Sequence, residues 1–249
     1  MAEGAPVADR PVPTLPPKMR LSRPELLLLD FDGVIVDSVA IKVDAYLRVY
    51  AGEPPEKLQA VLDYQRSHAG ETRRLKFRHF EAELFRRPVT DEAIEALSRE
   101  YTRLTYDAVL GCALIPGARE FLEAVHRTAS LHIVSGTPLE ELTDIVRRRG
   151  LSRYFASLHG APATKPEAFR NILAATAVSP DRTLAIGDGT TEYDAAAALG
   201  IPFLGIVPLA ERSPFPTGVP VIASLEGLGR ALGLVDCALV PTAYEIKTR

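Results

Sequence analysis

Asp30 and Asp32 stand on either side of Phe31 and are followed at once by Gly33. In an extended strand two residues make one pleat period, so both carboxylates would share one face. Paired carboxylates can divide labour: one attacks an electrophile or holds a metal while the other moves protons. A carboxylate attacking a phosphate ester needs its charge repulsion offset, so a hard divalent cation is expected, and magnesium suits oxygen ligands. Asp188 supplies a further carboxylate, with Glu192 or Asp194 beyond it. Lys165 could add positive charge, and the Ser135 hydroxyl could donate a hydrogen bond to phosphate oxygens.

Each residue has a structural alternative. Asp-Phe-Asp-Gly is a common turn after a strand, a lone Lys165 is an ordinary surface residue, and Ser135-Gly136-Thr137 could cap the next helix. Glu192 could be a helix-start carboxylate meeting unpaired backbone N–H groups. The order along the chain favours a joint site: acidic pair, hydroxyl turn, lysine, then acidic glycine turn.

The elements that must position these residues follow from periodicity. Leu26–Leu29 is an apolar run fitting a strand buried on both faces, ending where Asp30 begins. From Ser38 to about Asp107 the pattern is helical, with one segment at Ile41–Val49, another at Leu75–Phe85 and a third from Asp91 to Leu104. After Pro116-Gly117, helices (Ala118–Thr128, Leu139–Arg149, Pro166–Thr176, Tyr193–Leu199) alternate with strands (Leu131–Val134, Tyr154–His159, Thr183–Ile186, Phe203–Val207). Val221-Ile222 reads as a last strand and Leu225–Leu234 as a closing helix. This is the grammar of an α/β protein with a mostly parallel sheet and helices on both faces. Ligands in such folds bind at the carboxyl ends of strands, where Asp30, Ser135 and Asp188 should gather.

The 249 residues include 29 basic and 32 acidic side chains, a formal net charge of −3. That balance offers no global attraction to nucleic acid or an anionic membrane, while a small anionic substrate remains open. The composition, 47% hydrophobic and 24% charged, is globular. Cys112 and Cys237 have neither disulfide-framework nor zinc spacing and read as buried thiols. No signal peptide or membrane span is read from the chain, so a cytoplasmic protein is expected. Oligomeric state is not legible.

The run Asp30-Phe31-Asp32-Gly33-Val34-Ile35-Val36-Asp37-Ser38 resembles the first signature of the haloacid dehalogenase superfamily of phosphohydrolases. Ser135 matches the second signature, Lys165 the third, and Gly187-Asp188-Gly189-Thr190-Thr191-Glu192 the fourth, the likeness covering roughly residues 26–226. It implies a Rossmann-like core at 25–37 and 112–234 with a helical cap at 38–111; by composition, the six prolines of residues 1–24 read as a disordered leader and 235–249 as a dispensable tail. It further implies a magnesium-dependent phosphomonoesterase acting on a small phosphorylated metabolite, similar to phosphoglycolate and sugar phosphatases. Asp30 would be the nucleophile, forming an aspartyl-phosphate, and Asp32 the proton donor and then base. Magnesium would be held by Asp30, Asp188, Glu192 and the Asp32 backbone carbonyl. Ser135, Gly136 and Lys165 would bind the phosphoryl group. The stretch His68-Ala69-Gly70-Glu71-Thr72-Arg73-Arg74-Leu75-Lys76-Phe77 resembles a substrate-facing cap loop, so Arg73 and Lys76, with His68, Arg74 and Gly33, are expected substrate contacts. Such basic residues suit an acid or second anionic group on the substrate. Glu192 departs from the aspartate usual at its position, which leaves Asp194 as the alternative ligand. A phosphosugar mutase and a catalytically weak metabolite-binding relative are the competing readings.

Overall fold

A computed structural model describes residues 23–235. The expected leader and tail, apart from their innermost residues, lie outside the described residues, as does Cys237.

Strand β1 (Leu26–Leu29) is the centre of the fold and all four of its leucines are buried. It pairs in parallel with β2 (Ser130–Pro138) on one side and β4 (Thr183–Gly187) on the other, Leu27 lying opposite both Leu131 and Leu184. The side chains alternate between faces, as a strand's period of two requires. Leu27 and Leu29 pack with Phe121, Leu122, Leu142 and Ile145; Leu26 and Leu28 pack with Phe169, Ile172 and Ala195. Each such leucine stabilises the fold by about 2 kcal/mol, so a run apolar at every position is the natural sequence for this slot.

Beyond β2 lies β3 (Ser157–Ala161); beyond β4 come β5 (Phe203–Ile206) and β6 (Val221–Ile222). The sheet order is β3-β2-β1-β4-β5-β6 and every pairing is parallel. Helices α5 (Ala118–Val125) and α6 (Leu139–Arg148) cover one face; α7 (Lys165–Thr176) and α8 (Thr190–Ala198) cover the other. Strand order reverses between β1 and β4, which opens a crevice beyond their carboxyl ends.

Between β1 and β2 the chain makes a helical insertion: α1 (Val39–Val49), α2 (Pro55–Ser67), α3 (Arg73–His79), a single wider π-type turn at Phe80–Leu84, and α4 (Asp91–Gly111). It has its own aromatic core. The Tyr46 ring lies 5.4 Å from Phe77, 5.7 Å from Phe80 and 4.5 Å from Tyr101. Thr90 caps α4, its Oγ1 accepting from Ala93 N at 3.2 Å.

Several elements differ from expectation. Helix α2 carries one fully buried residue, Val61, and so gives little apolar periodicity to read. The segment expected as one helix over Leu75–Phe85 divides at Phe80. Ser152–Tyr154 is a 3₁₀ turn, so β3 starts later than the expected Tyr154. The closing helix shrinks to α9 (Leu228–Ala231), because Gly227 and Gly233 at its ends adopt φ of 71° and 66°, outside helical backbone. No helix among the described residues is long and apolar enough to cross a membrane.

Candidate active site

β1 delivers Asp30 to the crevice. The Asp30 backbone N–H continues the pairing by donating to Ile186 O at 3.0 Å, and its Oδ1 accepts from the Phe31 N–H at 2.6 Å. The chain then turns so that Gly33 N donates to Val36 O at 2.8 Å. Gly33 has φ of 73°, and a Cβ there would stand 2.4 Å from Asp188 Oδ2. Only glycine lets this loop lie against that carboxylate. Gly33 therefore sits beneath Asp188 and outside the residues that line the cleft.

Asp32 is held from several directions. Ser38 Oγ donates to its Oδ1 at 2.5 Å; the Lys42 ammonium donates to Oδ2, which also accepts from Thr137 Oγ1 at 3.2 Å and Ser135 Oγ at 3.4 Å. Desolvation works to raise the carboxyl pKa, but Lys42 together with the Ser38 and Thr137 hydroxyls more than reverses it, leaving Asp32 below the usual carboxylate range. Ser135 and Thr137 belong to β2, which runs on through the stretch expected as a turn, with a register irregularity against β3 between Val134 and Pro138.

Lys165 opens α7, whose first turn is fixed by a capping box between Thr164 and Glu167. Its buried ammonium donates to Asp30 Oδ2 at 2.7 Å and lies against Glu192. α8 begins three residues earlier than expected, at Thr190, which puts Glu192 in its first turn and buries it. Asp194 is exposed on the other side of the same helix. Asp30, Asp188 and Glu192 present carboxylate oxygens within 4.8 Å of one another.

Desolvation and the adjacent Asp30 charge push Asp188 up to about 7, with Lys165 opposing. One ammonium does not balance three clustered carboxylates. An all-oxygen, negatively overcharged donor set of this kind fits a hard divalent cation such as magnesium. The Asp32 carboxylate is outside that cluster and is turned to Lys42.

The helical insertion closes the other side of a cleft lined among others by Asp30, Asp32, Lys42, Lys76, Gly136 and Asp188. Gly70 has φ of 88°, and a Cβ on it would fall 1.9 Å from Thr191 Oγ1; the Ala69 carbonyl accepts from that hydroxyl at 3.2 Å. The 69–71 loop is thereby seated on the start of α8. Gly136 is the close-approach point from β2, where a Cβ would be 3.0 Å from Gly70 O.

The expected basic contacts separate. Lys76 is buried in the cleft wall, donating to Gln65 Oε1 at 2.5 Å. Burial drives its pKa down to about 7; Glu71 and Asp188 resist the shift, while Lys42 and Lys165 add to it. Arg73 also lines the cleft, but its guanidinium is committed to Thr102 at 2.5 Å and to Glu141 of α6 at 2.9 Å, a tie between insertion and core. Arg74 and His68 are not brought to the cleft. Arg74 is exposed and pairs with Glu95 and Asp91, and His68 stacks on Tyr64 at 3.9 Å with its Nδ1 near the Tyr64 carbonyl. Consecutive residues on a helix point about 100° apart, and with Arg73 turned inward Arg74 falls on the solvent side.

Lys42, Tyr46, Gln65, Glu71 and Tyr101 line the cleft without having been singled out from the sequence. For Lys42 a signal existed. It lies four residues after Ser38, one helical turn, so both reach Asp32 from the same side of α1's first turn.

Comparisons with known proteins agree with this architecture. The chain is 26% identical over 208 residues to a phosphoglycolate phosphatase of Pseudomonas fluorescens, covering 77% of this chain and 75% of that protein. Its fold is similar to CbbY from Rhodobacter sphaeroides in complex with phosphate (TM-score 0.65, 19% identity, 84% of this chain and 99% of the other). It is similar also to a putative beta-phosphoglucomutase from Thermotoga maritima (TM-score 0.60, 21% identity, 83% and 97%). The family model for haloacid dehalogenase-like hydrolases matches residues 24–200, and with a parallel core, a helical cap and an acidic cluster at the strand ends, the chain belongs to that family.

Proposed function

We propose that this protein is a magnesium-dependent phosphomonoesterase that acts on a small phosphorylated metabolite through an aspartyl-phosphate on Asp30. The observation that carries the reading is the division between the two aspartates. Asp30 sits with the cationic Lys165 and two further carboxylates, the surroundings of a nucleophile that meets an anion. Asp32, held by Ser38, Thr137 and Lys42, stands apart from that cluster on the cleft wall, the place for a group that moves protons.

Asp30, Asp188 and Glu192, with the Asp32 backbone carbonyl, would hold magnesium, which when bound supplies positive charge against the phosphoryl oxygens. Asp30 attacks phosphorus. Asp32, whose carboxyl the free cleft holds below the usual range, takes up a proton as the anionic substrate binds and gives it to the departing ester oxygen, then takes a proton from the water that hydrolyses the aspartyl-phosphate. Ser135, the Gly136 backbone and Lys165 hold the phosphoryl oxygens, and Lys165 reduces repulsion between Asp30 and Glu192.

The cleft is lined by carboxylates and lysines together, the lining of a site for a small charged ligand. Lys76 faces it, and its hydrogen-bond partner among the described residues is the neutral Gln65, which favours a substrate with a second anionic group, as in phosphoglycolate or a phosphorylated sugar acid. Relatives called phosphoglycolate phosphatase support the same class. The test is phosphate release from a panel of phosphorylated metabolites, with magnesium and with chelator. Magnesium-dependent release concentrated on esters with a second anion is expected. Phosphate returned to the same sugar at a new position, with none released, would replace this reading with a mutase.

A further inference from the structure

In the scheme above Lys42 does no more than hold Asp32, yet it lines the cleft itself. It rises from the first turn of α1 and donates to Asp32 Oδ2 and, at 2.7 Å, to Thr137 Oγ1. Both partners lie on the core, so an ammonium carried by the cap is fixed beside the proton-handling carboxylate. It is not enclosed: 17% of its side chain remains exposed, and it lines the cleft together with Asp32. A third N–H remains beyond the two in use.

Any ester oxygen that takes a proton from Asp32 must approach within about 2.6–3.2 Å of that carboxylate. Because Lys42 Nζ touches Oδ2, an oxygen that approaches Oδ2 from the Lys42 side of the cleft comes within hydrogen-bond reach of Nζ as well. The other cations of the cleft are placed elsewhere. Lys165 is committed to Asp30 and Glu192, Arg73 to Thr102 and Glu141, and Lys76 to Gln65.

We propose that Lys42 is a further catalytic residue, an ammonium that donates a hydrogen bond to the ester oxygen as it leaves phosphorus. The inference rests on the phosphatase reading. As the bond from Asp30 to phosphorus forms, the bond from phosphorus to the ester oxygen breaks, and its electron pair stays on that oxygen. The proton comes from Asp32, and Lys42 keeps its own while stabilising the charge that develops before transfer is complete. The contribution is largest where that charge is largest, on alkyl phosphates, and small for an aryl phosphate whose leaving group carries the charge itself.

The alternative is that Lys42 only holds Asp32 in place. The two roles separate because Asp32 also serves the second step, hydrolysis of the aspartyl-phosphate, in which no ester oxygen is present. The experiment compares the wild type with Lys42→Met, and with Lys42→Gln should the first disturb α1. The esters are p-nitrophenyl phosphate and whichever of 2-phosphoglycolate, glycerol 3-phosphate and glucose 6-phosphate the wild type turns over fastest. A leaving-oxygen role lowers kcat/KM for the alkyl ester about 100-fold, with at least tenfold less effect on kcat for the aryl ester. Equal loss on both overturns the proposal in favour of positioning, and no loss on either overturns it outright. In both of those outcomes the wild-type activity leaves the phosphatase reading standing. A wild type that releases no phosphate from any of the four esters overturns that reading and this inference with it.

Discussion

The Lys165 ammonium lies 2.7 Å from Asp30 Oδ2, though the two residues are 135 positions apart in the chain. Both are buried, and Glu192 lies against the same ammonium. Removing the cation leaves Asp30, Asp188 and Glu192 as clustered carboxylates without their one ammonium.

Lys165→Met is therefore expected to destabilise the metal-free protein by about 3–5 kcal/mol. Magnesium should recover much of that loss by supplying the missing charge. Thermal unfolding of both proteins, with magnesium and with chelator, checks this; a variant as stable as the wild type in chelator would contradict the assigned ion pair.

Glu192 faces the carboxylate cluster and Asp194 faces solvent from the same helix. Glu192→Gln is expected to raise the magnesium concentration needed for half-maximal activity by about tenfold or more. Asp194→Ala should leave that concentration unchanged. The opposite pattern, measured by magnesium titration of phosphate release, would move the ligand to Asp194.

Lys76 titrates from about 7, below its ordinary value of 10.5, because burial outweighs Glu71 and Asp188 while Lys42 and Lys165 repel it. Its charge is present below about pH 7 and lost above, so a substrate with a second anion should bind more weakly as pH rises through that value. The signature is a rise in KM across about pH 7 in the wild type that flattens in Lys76→Met. For stability the sign is reversed from that of a salt-bridged lysine: the unfolded chain binds the extra proton between about 7 and 10.5, so this group's contribution improves as pH rises through that window. An identical KM rise in Lys76→Met would remove Lys76 from substrate recognition.

How much of this was legible in the sequence depends on how each residue is constrained. Leu26–Leu29 could be read because a strand buried on both faces has to be apolar at every position. Asp30 and Asp188 could be placed because each follows such a strand, and parallel sheets put those ends together. Arg73, Arg74, Lys76 and His68 form one basic stretch around a glycine turn, and only the helix rotation that the aromatic core imposes sorts inward from outward. Lys42 was hidden differently. A single lysine early in a helix looks like solvent-facing charge, and its partner Thr137 arrives from another element 95 residues on. β2 was extended past its expected end because Ser135-Gly136-Thr137 has the composition of a turn and the backbone of a strand.

The central claim is that Asp30 carries the phosphoryl group. The most direct test is acid quenching during turnover with magnesium, followed by peptide mass analysis, in the wild type and in Asp30→Asn. A phosphoryl adduct on the Asp30 peptide of the wild type is expected, with neither adduct nor phosphate release from a folded Asp30→Asn protein. Phosphate release that persists in Asp30→Asn, or an adduct found on another residue, would contradict the account.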